Sequence, residues 1–469
     1  MAPVIVWFRR NLRLHDNLAL HAAADTGRPV VPVYVSDDLD AGGASRWWLH
    51  HSLCGLDTAL QEHGAGLVVR AGKPEQLLPG IVESTGAESV FFARRYEPRA
   101  RSQEGALEKA LDGRCEFCGF DDGVIRHPDS VMTRSGTPYK VFTPFWRAAS
   151  GPGEPEKPVS IPGRFETTAA SLDKGDIDGL QLLPTKPDWA GGLRETWTPG
   201  EGGAFERLDA ACSIAGDYAE LRDRPDLEGT SRLSPHLHFG ELSPRQVWHD
   251  IRSATAAGGQ QGADALLRQL YWRDFSAYLL YHFPHLPAEP LREEFREFPW
   301  TDDPQGLEAW QQGRTGFPIV DAGMRQLWAT GWMHNRVRML VASFLVKDLL
   351  VPWQAGAEWF LDTLVDADLA NNSASWQWVA GCGTDAAPYF RIFNPVLQGK
   401  KFDPMGDYVR RWVPELERLP AKLIQEPWIA SLDEQKAANV VIGEDYPGPI
   451  VNHGDARDLA LEAYRAIRS

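Results

Sequence analysis

No uninterrupted apolar run in the sequence approaches the roughly 18 residues of a membrane span. The first apolar stretch, Val4 to Phe8, runs straight into Arg9 and Arg10, which excludes a secretory leader in this reading. Cysteine is scarce. Five in 469 residues make no disulfide framework, and a reducing cytoplasm is the expected compartment. Basic residues are outnumbered, 48 Lys and Arg against 64 Asp and Glu, for a formal charge of −16. That excludes a general basic coat for nucleic acid and leaves only a local patch. A G-x-G-x-x-G or Walker-type loop is also missing, so no dinucleotide or triphosphate grip is indicated at the first turn.

What remains is an ordinary globular composition, 43% hydrophobic and 24% charged, with an unusual 18 tryptophans. The length suits two large domains. Over the first 120 residues, short β-rich runs (Val4–Phe8, Pro29–Val35, Gly66–Gly72, Ser89–Arg95, Glu116–Phe120) alternate with helical stretches such as Ser45–His63 and Pro98–Leu111. This alternation predicts a doubly wound parallel α/β sheet. From Gly151 to Gly203 ten Gly and seven Pro accumulate, the composition of a surface connection. Helical signals dominate from about Ala204, with Ser234-Pro235 and Ser243-Pro244 each reading as an N-cap followed by Pro at the first helical position. The expected division is an α/β domain over 1–130, a connection over 131–203 and an all-helical domain over 204–469.

Several constellations carry chemistry. Cys115 and Cys118 fall on a strand, where positions i and i+3 face opposite sides, so they do not form a redox or zinc pair. Asp366 and Asp368 lack further acidic ligands nearby, too few oxygens for a hard cation; no metal is expected. They read instead as hydrogen-bond partners of a polar ligand, or as helix caps. Helical spacing aligns Gln269, Trp272 and Arg273 on one face, Asn335, Arg338 and Met339 on another, and Asn372 with Trp376 on a third. Amide, indole, guanidinium and thioether together suit a cavity for flat rings with polar edges. Thr230, Ser231, Arg232, Leu233 and Ser234 offer hydroxyls, backbone N–H groups and one guanidinium, a combination that suits a phosphate.

In order, Val-Ile-Val-Trp7-Phe8-Arg9-Arg10-Asn-Leu-Arg13, Gly229-Thr230-Ser231-Arg232-Leu233-Ser234-Pro235, Tyr271-Trp272-Arg273-Asp274-Phe275, Gly331-Trp332-Met333-His334-Asn335-Arg336 and Ala387-Pro388-Tyr389-Phe390-Arg391 resemble the photolyase/cryptochrome flavoprotein family from end to end. The resemblance is to its DNA-repair branch, with cyclobutane pyrimidine dimers as substrate. It implies an N-terminal antenna domain and a C-terminal helical domain that holds FAD. Carried over by position, Tyr218, Thr230 to Ser234 and Arg273 match FAD contacts. Arg338 and Asp366 match an ion pair beside the flavin ring, with Asp368 next to it. Asn372 matches the residue facing flavin N5, and Trp376, Trp353 and Trp300 match an electron-carrying chain. Leu266, Gln269 and Asn335 border the cofactor. On the DNA side the resemblance implies stacking of the lesion by Trp272 and Trp378, a pocket lined by Gln269, Asn335 and Met339, and phosphate contacts by Arg222, Arg336 and Arg391.

Two departures stand out. The repair branch usually carries Glu where this chain has Gln269, and commonly Trp where it has Leu266. A second, antenna chromophore is implied, with Arg46, Trp47 and Trp48 as lining; methenyltetrahydrofolate, a deazaflavin and an empty pocket all stay open. The competing readings are a signalling cryptochrome, disfavoured by Asn372 and by an end at Ser469 soon after a helical stretch, and repair of (6-4) photoproducts, which Gln269 favours. Against the latter, Asn335 and Met339 stand where that branch has His. The remaining expectations are a monomer that acts on damaged DNA, without a membrane, in the bacterial cytosol.

Overall fold

The structure, a computed structural model, describes residues 1–37, 42–163, 174–385 and 390–468. These form two compact units. One comprises Met1–Gly216, Ser231–Pro284 and Val365–Ala370; the other comprises Asp217–Thr230, His285–Leu364 and Asn371–Ser469.

The first unit contains a five-stranded sheet: β1 (Val4–Phe8), β2 (Val30–Ser36), β3 (Val68–Ala71), β4 (Ser89–Ala93) and β5 (Glu116–Phe120). All pairings are parallel and the order is β3-β2-β1-β4-β5, so the winding reverses beside β1. The crossovers run through α1 (Leu18–Asp25), α2 (Gly43–Glu62), α3 (Pro74–Thr85) and α4 (Pro98–Leu111). Every residue of β1, β2 and β4 is buried, as a sheet covered on both faces requires. Ile5, Trp7, Val33, Val68, Val90 and Phe92 make one apolar cluster with Leu107 of α4. The strand edges differ slightly from expectation, for local reasons. Pro29 has no N–H to give the ladder, although its carbonyl accepts from Val4 N at 2.9 Å, so β2 starts at Val30. Gly72 takes φ +134 and ends β3 early.

The helices Ser234–Phe239, Pro244–Ala254 and Gln260–His282 belong to this same unit. The two Ser-Pro sites part company here. Ser243 is an N-cap with a full capping box, accepting from Gln246 N at 2.9 Å while Gln246 Oε1 accepts from Ser243 N at 2.8 Å. Ser234 is already helical, and its hydroxyl donates to Asp366 Oδ2 at 2.6 Å instead of capping. The Gly- and Pro-dense stretch has one 3₁₀ turn (Asp178–Leu180) and one short helix (Gly191–Thr196) in its described part; residues 164–173 lie outside the described residues.

The second unit is helical. Its helices include Pro318–Thr330, Asn335–Ser343, Trp353–Thr363 and His453–Ala466, with a π-helical turn at Phe344–Asp348. Ile319, Val320, Leu327, Val337, Val341 and Phe344 are buried. Buried Asp321 staples the unit, accepting from Thr315 N, Gly316 N and the Tyr446 hydroxyl at 2.5–3.0 Å. No helix among the described residues is long and apolar enough to cross a membrane.

Candidate functional site

In the first unit the carboxylates Asp366 and Asp368 sit on a tight turn, with Asp368 N donating to Asp366 O at 2.7 Å. Ser234 anchors Asp366, and His238, on the same short helix, places Nδ1 3.7 Å from Asp368 Oδ2. Behind His238 stands Arg10, whose guanidinium touches the imidazole. Burial, reinforced by Arg10, pushes the His238 pKa down to about 4, so the ring is neutral at pH 7. Burial alone would raise Asp368; the His238 contact with the Arg273 and Arg10 charges outweighs it and holds the carboxyl well below its usual range. The result is an ionised carboxylate backed by a neutral imidazole and a cation. No cluster of His, Cys, Asp or Glu fit for a metal occurs among the described residues.

Helix Gln260–His282 carries Leu266, Gln269, Trp272 and Arg273. Arg273 donates to the backbone carbonyls of Gly123 and of Leu237, the latter at 3.1 Å. Trp272 stacks on Phe142 with centroids 3.5 Å apart and planes at 8°. Gln269 turns back on its own helix, donating to Ala265 O at 2.9 Å, and Leu266 is buried. A cavity at the carboxyl ends of β1 and β2 is lined by Trp7, Arg10, Tyr34, Ser36, Arg46 and His238. Of the antenna residues, Arg46 therefore faces a cavity. Trp47 and Trp48 are buried, and Trp48 Nε1 donates to Glu241 at 2.8 Å.

In the second unit, Asn372 is buried and its Nδ2 donates to Ala357 O at 3.0 Å. With the nitrogen tethered, the amide presents its oxygen as a neutral acceptor. One turn on, Trp376 packs on Phe360 at 5.1 Å and Trp310 at 6.2 Å. Gly356 permits this, since a Cβ there would meet the Trp376 ring at 2.1 Å. Trp353 is buried at the start of its helix, and Trp300 is half-buried against Phe298 at 4.4 Å. Thr301 N donates to Leu350 O at 2.8 Å, tying the residue after Trp300 to the stretch before Trp353. Trp378 donates to Asp385 O at 2.9 Å.

On helix Asn335–Ser343, exposed Asn335 lies 4.0 Å from Met339 Sδ. Arg336 pairs with Asp223 at 2.8 Å and lies over Phe402; Arg338 donates to Met333 O at 2.8 Å. Tyr218 is buried with Arg222 at 5.3 Å from its ring, and Arg391 stands 5.8 Å from Phe393. Thr230 and, in the first unit, Ser231 and Arg232 are half-buried, Leu233 is buried, and Arg232 adopts φ +52. Residues 387–389 of the last motif lie outside the described residues.

Residues 4–162 match the family described as DNA photolyase, and residues 266–466 match the FAD binding domain of DNA photolyase. A deoxyribodipyrimidine photo-lyase of Agrobacterium fabrum is 48% identical over 471 residues, covering 100% of this chain and 98% of that protein. The chain belongs to the DNA photolyase family. Among its solved members, a bacterial class III photolyase from Agrobacterium tumefaciens superposes with TM-score 0.97 at 48% identity, over 100% of this chain and 98% of that one. Cryptochrome-1 of Arabidopsis thaliana is 38% identical over 98% of this chain and 70% of its own length. As a photolyase-family flavoprotein the chain binds FAD through its helical domain.

Sequence reasoning missed His238 and Arg10 as partners of Asp368. Local pattern carries little signal for them, because their meeting spans 228 and 130 residues of chain. Only the repeated His in Ser234-Pro-His236-Leu-His238 hinted at a polar role on an otherwise apolar helix.

Proposed function

We propose that this chain is a light-driven photo-lyase for cyclobutane pyrimidine dimers in DNA. The donor set fits the cofactor: an ionised carboxylate at Asp368, a hydroxyl–carboxylate pair at Ser234 and Asp366, a guanidinium at Arg273 and a neutral amide oxygen at Asn372. FAD, when bound and fully reduced, supplies a photoexcited electron that the dimer takes up and returns. The protein's part is to hold and to exclude. Tyr218, Thr230 to Ser234 and Arg273 bind the phosphate and ribityl portion, and Arg338 with Asp366 and Asp368 borders the ring. Asn372 would offer its amide oxygen to the reduced ring without adding charge. Trp376, Trp353 and Trp300 are the oxidisable indoles of the electron chain. Gln269, Trp272, Asn335, Met339 and Trp378 are assigned to the flipped lesion, Leu266, Gln269 and Asn335 to the cofactor, and Arg222, Arg336 and Arg391 to phosphate. The chain acts as a monomer in the cytosol, with its α/β domain over 1–130 and its catalytic domain over 204–469.

One observation favours the cyclobutane dimer over the (6-4) lesion. Returning a hydroxyl in the latter needs an acid. Asn335 and Met339 carry none, and His334 is buried with Nδ1 accepting from Arg336 N at 3.2 Å as the cap of its helix. Splitting a cyclobutane ring makes no such demand. Illuminating the reduced protein with DNA carrying each lesion separately tests the reading. Restoration of the cyclobutane dimer is expected; restoration of the (6-4) lesion alone overturns it, and restoration of neither favours a cryptochrome-type light sensor.

A further inference from the structure

Lys347 lies fully buried in the π-helical turn Phe344–Asp348, and the proposed reaction makes no use of it. Burial holds the Lys347 pKa well below its ordinary value, and a buried amine is tolerated only where its N–H groups find partners. The titratable group facing it is no acid but the Cys382 thiol, itself pushed up to about 12 by burial. Two features engage its N–H groups. Nζ donates to Ala380 O at 2.7 Å, and it stands 2.9 Å from the centroid of the Phe390 ring. Ala380 ends the helix Leu369–Ala380, where the peptide dipoles present their negative end. An aromatic face is likewise electronegative.

These two contacts fall on either side of one stretch of chain. Before it stands Trp378, assigned above to the flipped lesion; after it stands Arg391, assigned to a DNA phosphate. The proximal side is otherwise tightly tied. Gln377 O accepts from Gly381 N, Cys382 N and Gly383 N at 3.0–3.1 Å, and Arg292 bonds Gly381 O at 3.0 Å and Cys382 O at 2.9 Å. On the distal side Phe390 stacks on Tyr464 at 4.5 Å, and Phe393 N donates to Ser343 Oγ at 3.3 Å. Lys347 touches both.

We infer that Lys347 is a positioning residue for damaged-DNA binding: its buried side chain ties the Ala380 carbonyl to the Phe390 ring and thereby sets Trp378 against Arg391. The inference rests on the roles given to those two residues under the proposed function. A lesion is distinguished from ordinary duplex only if the stacking indole and the phosphate contact meet it together, so loosening their spacing reduces discrimination more than overall DNA affinity.

The test is Lys347→Met, close in volume but without charge or donor, in the FAD-loaded full-length protein. Affinities for duplexes carrying a cyclobutane dimer, a (6-4) lesion or no lesion are compared with wild type, well below the unfolding midpoint. The lesion-to-undamaged ratio should fall about tenfold, the loss of one well-placed contact, while flavin content and photoreduction stay at wild-type level. An unchanged ratio overturns the inference, whatever the variant does to the unfolding temperature. Should Lys347→Met not fold, Phe390→Leu removes the ring face but keeps the Ala380 bond, and its ratio should fall several-fold; an unchanged ratio again overturns it. If wild type prefers the (6-4) lesion, the substrate reading fails and Lys347 is judged on that lesion. If wild type prefers neither lesion, the inference falls as well.

Discussion

In β1, β2 and β4 every inward and outward position is buried and nearly every one is apolar. In the helix Leu369–Ala380 the buried positions include Asn372, Ser373, Trp376 and Gln377. Both regions exclude water, yet the first does so almost wholly with apolar side chains, while the second buries the Asn372 and Gln377 amides and the Ser373 hydroxyl among its apolar residues. Asn372 finds Ala357 O, and Gln377 spends its whole amide on Leu286, Glu289 and Leu291. Apolar burial stabilises almost any compact arrangement. Polar burial is tolerated only where the partners are in place, and it therefore specifies orientation. The helix that carries Asn372 and Trp376 is oriented by such polar burial.

The contrast can be broken experimentally. The largest effect should come from Phe92→Ala in the sheet cluster, which costs about 3–5 kcal/mol on cavity grounds and should show in urea unfolding. The fraction that stays folded should hold flavin as before. Loss of flavin without loss of stability would mean that the sheet is more than a scaffold.

Trp376→Phe comes next. Its ring fills the space over Gly356, so shortening it costs roughly 1–3 kcal/mol in stability on transfer and cavity grounds. Phenylalanine is far harder to oxidise, and photoreduction of the flavin should drop by about tenfold or more, equivalent to roughly 1.4 kcal/mol of barrier. Repair by chemically pre-reduced protein should survive. If both activities disappear together, Trp376 serves packing rather than electron flow.

A smaller change is expected from Asn372→Asp, which replaces the tethered amide with a carboxylate facing Ala357 O. The added negative charge disfavours an anionic reduced ring in a low-dielectric site, so air reoxidation should accelerate about three- to tenfold. Unchanged reoxidation, followed by flavin absorbance, would remove Asn372 from its assigned place.

The smallest effect concerns His238. Its folded pKa is lowered to about 4 from the ordinary 6.5, so between those values the unfolded chain binds more protons than the folded one. Stability therefore falls as pH drops from 6.5 to 4. Thermal midpoints of wild type and His238→Asn at pH 7 and pH 5 should show the smaller acid loss in the variant; equal losses would mean that the imidazole is not held neutral.

How much of this was legible depends on how local the cause is. Val4–Phe8, Glu116–Phe120 and Pro98–Leu111 appear in the structure with the bounds read from the chain, because apolar runs and a Pro at a helix start act over neighbouring residues. The Ser243 cap was equally readable, since its partner is three residues away. The same dipeptide at Ser234 misled, because the hydroxyl bonds a carboxylate 132 residues on.

The sequence by itself determined the parallel sheet, the family and, through it, the cofactor. Those properties follow from periodicity, composition and motif order, which are carried by the chain without regard to its path. The tertiary structure alone decided which buried groups meet: Arg10 with His238 and Asp368, Ser234 with Asp366, Asn372 with Ala357, Lys347 with Ala380 and Phe390. Whether a charge or an amide is neutral, ionised or aimed depends on desolvation and on partners brought from far along the chain, and neither exists until the chain has folded.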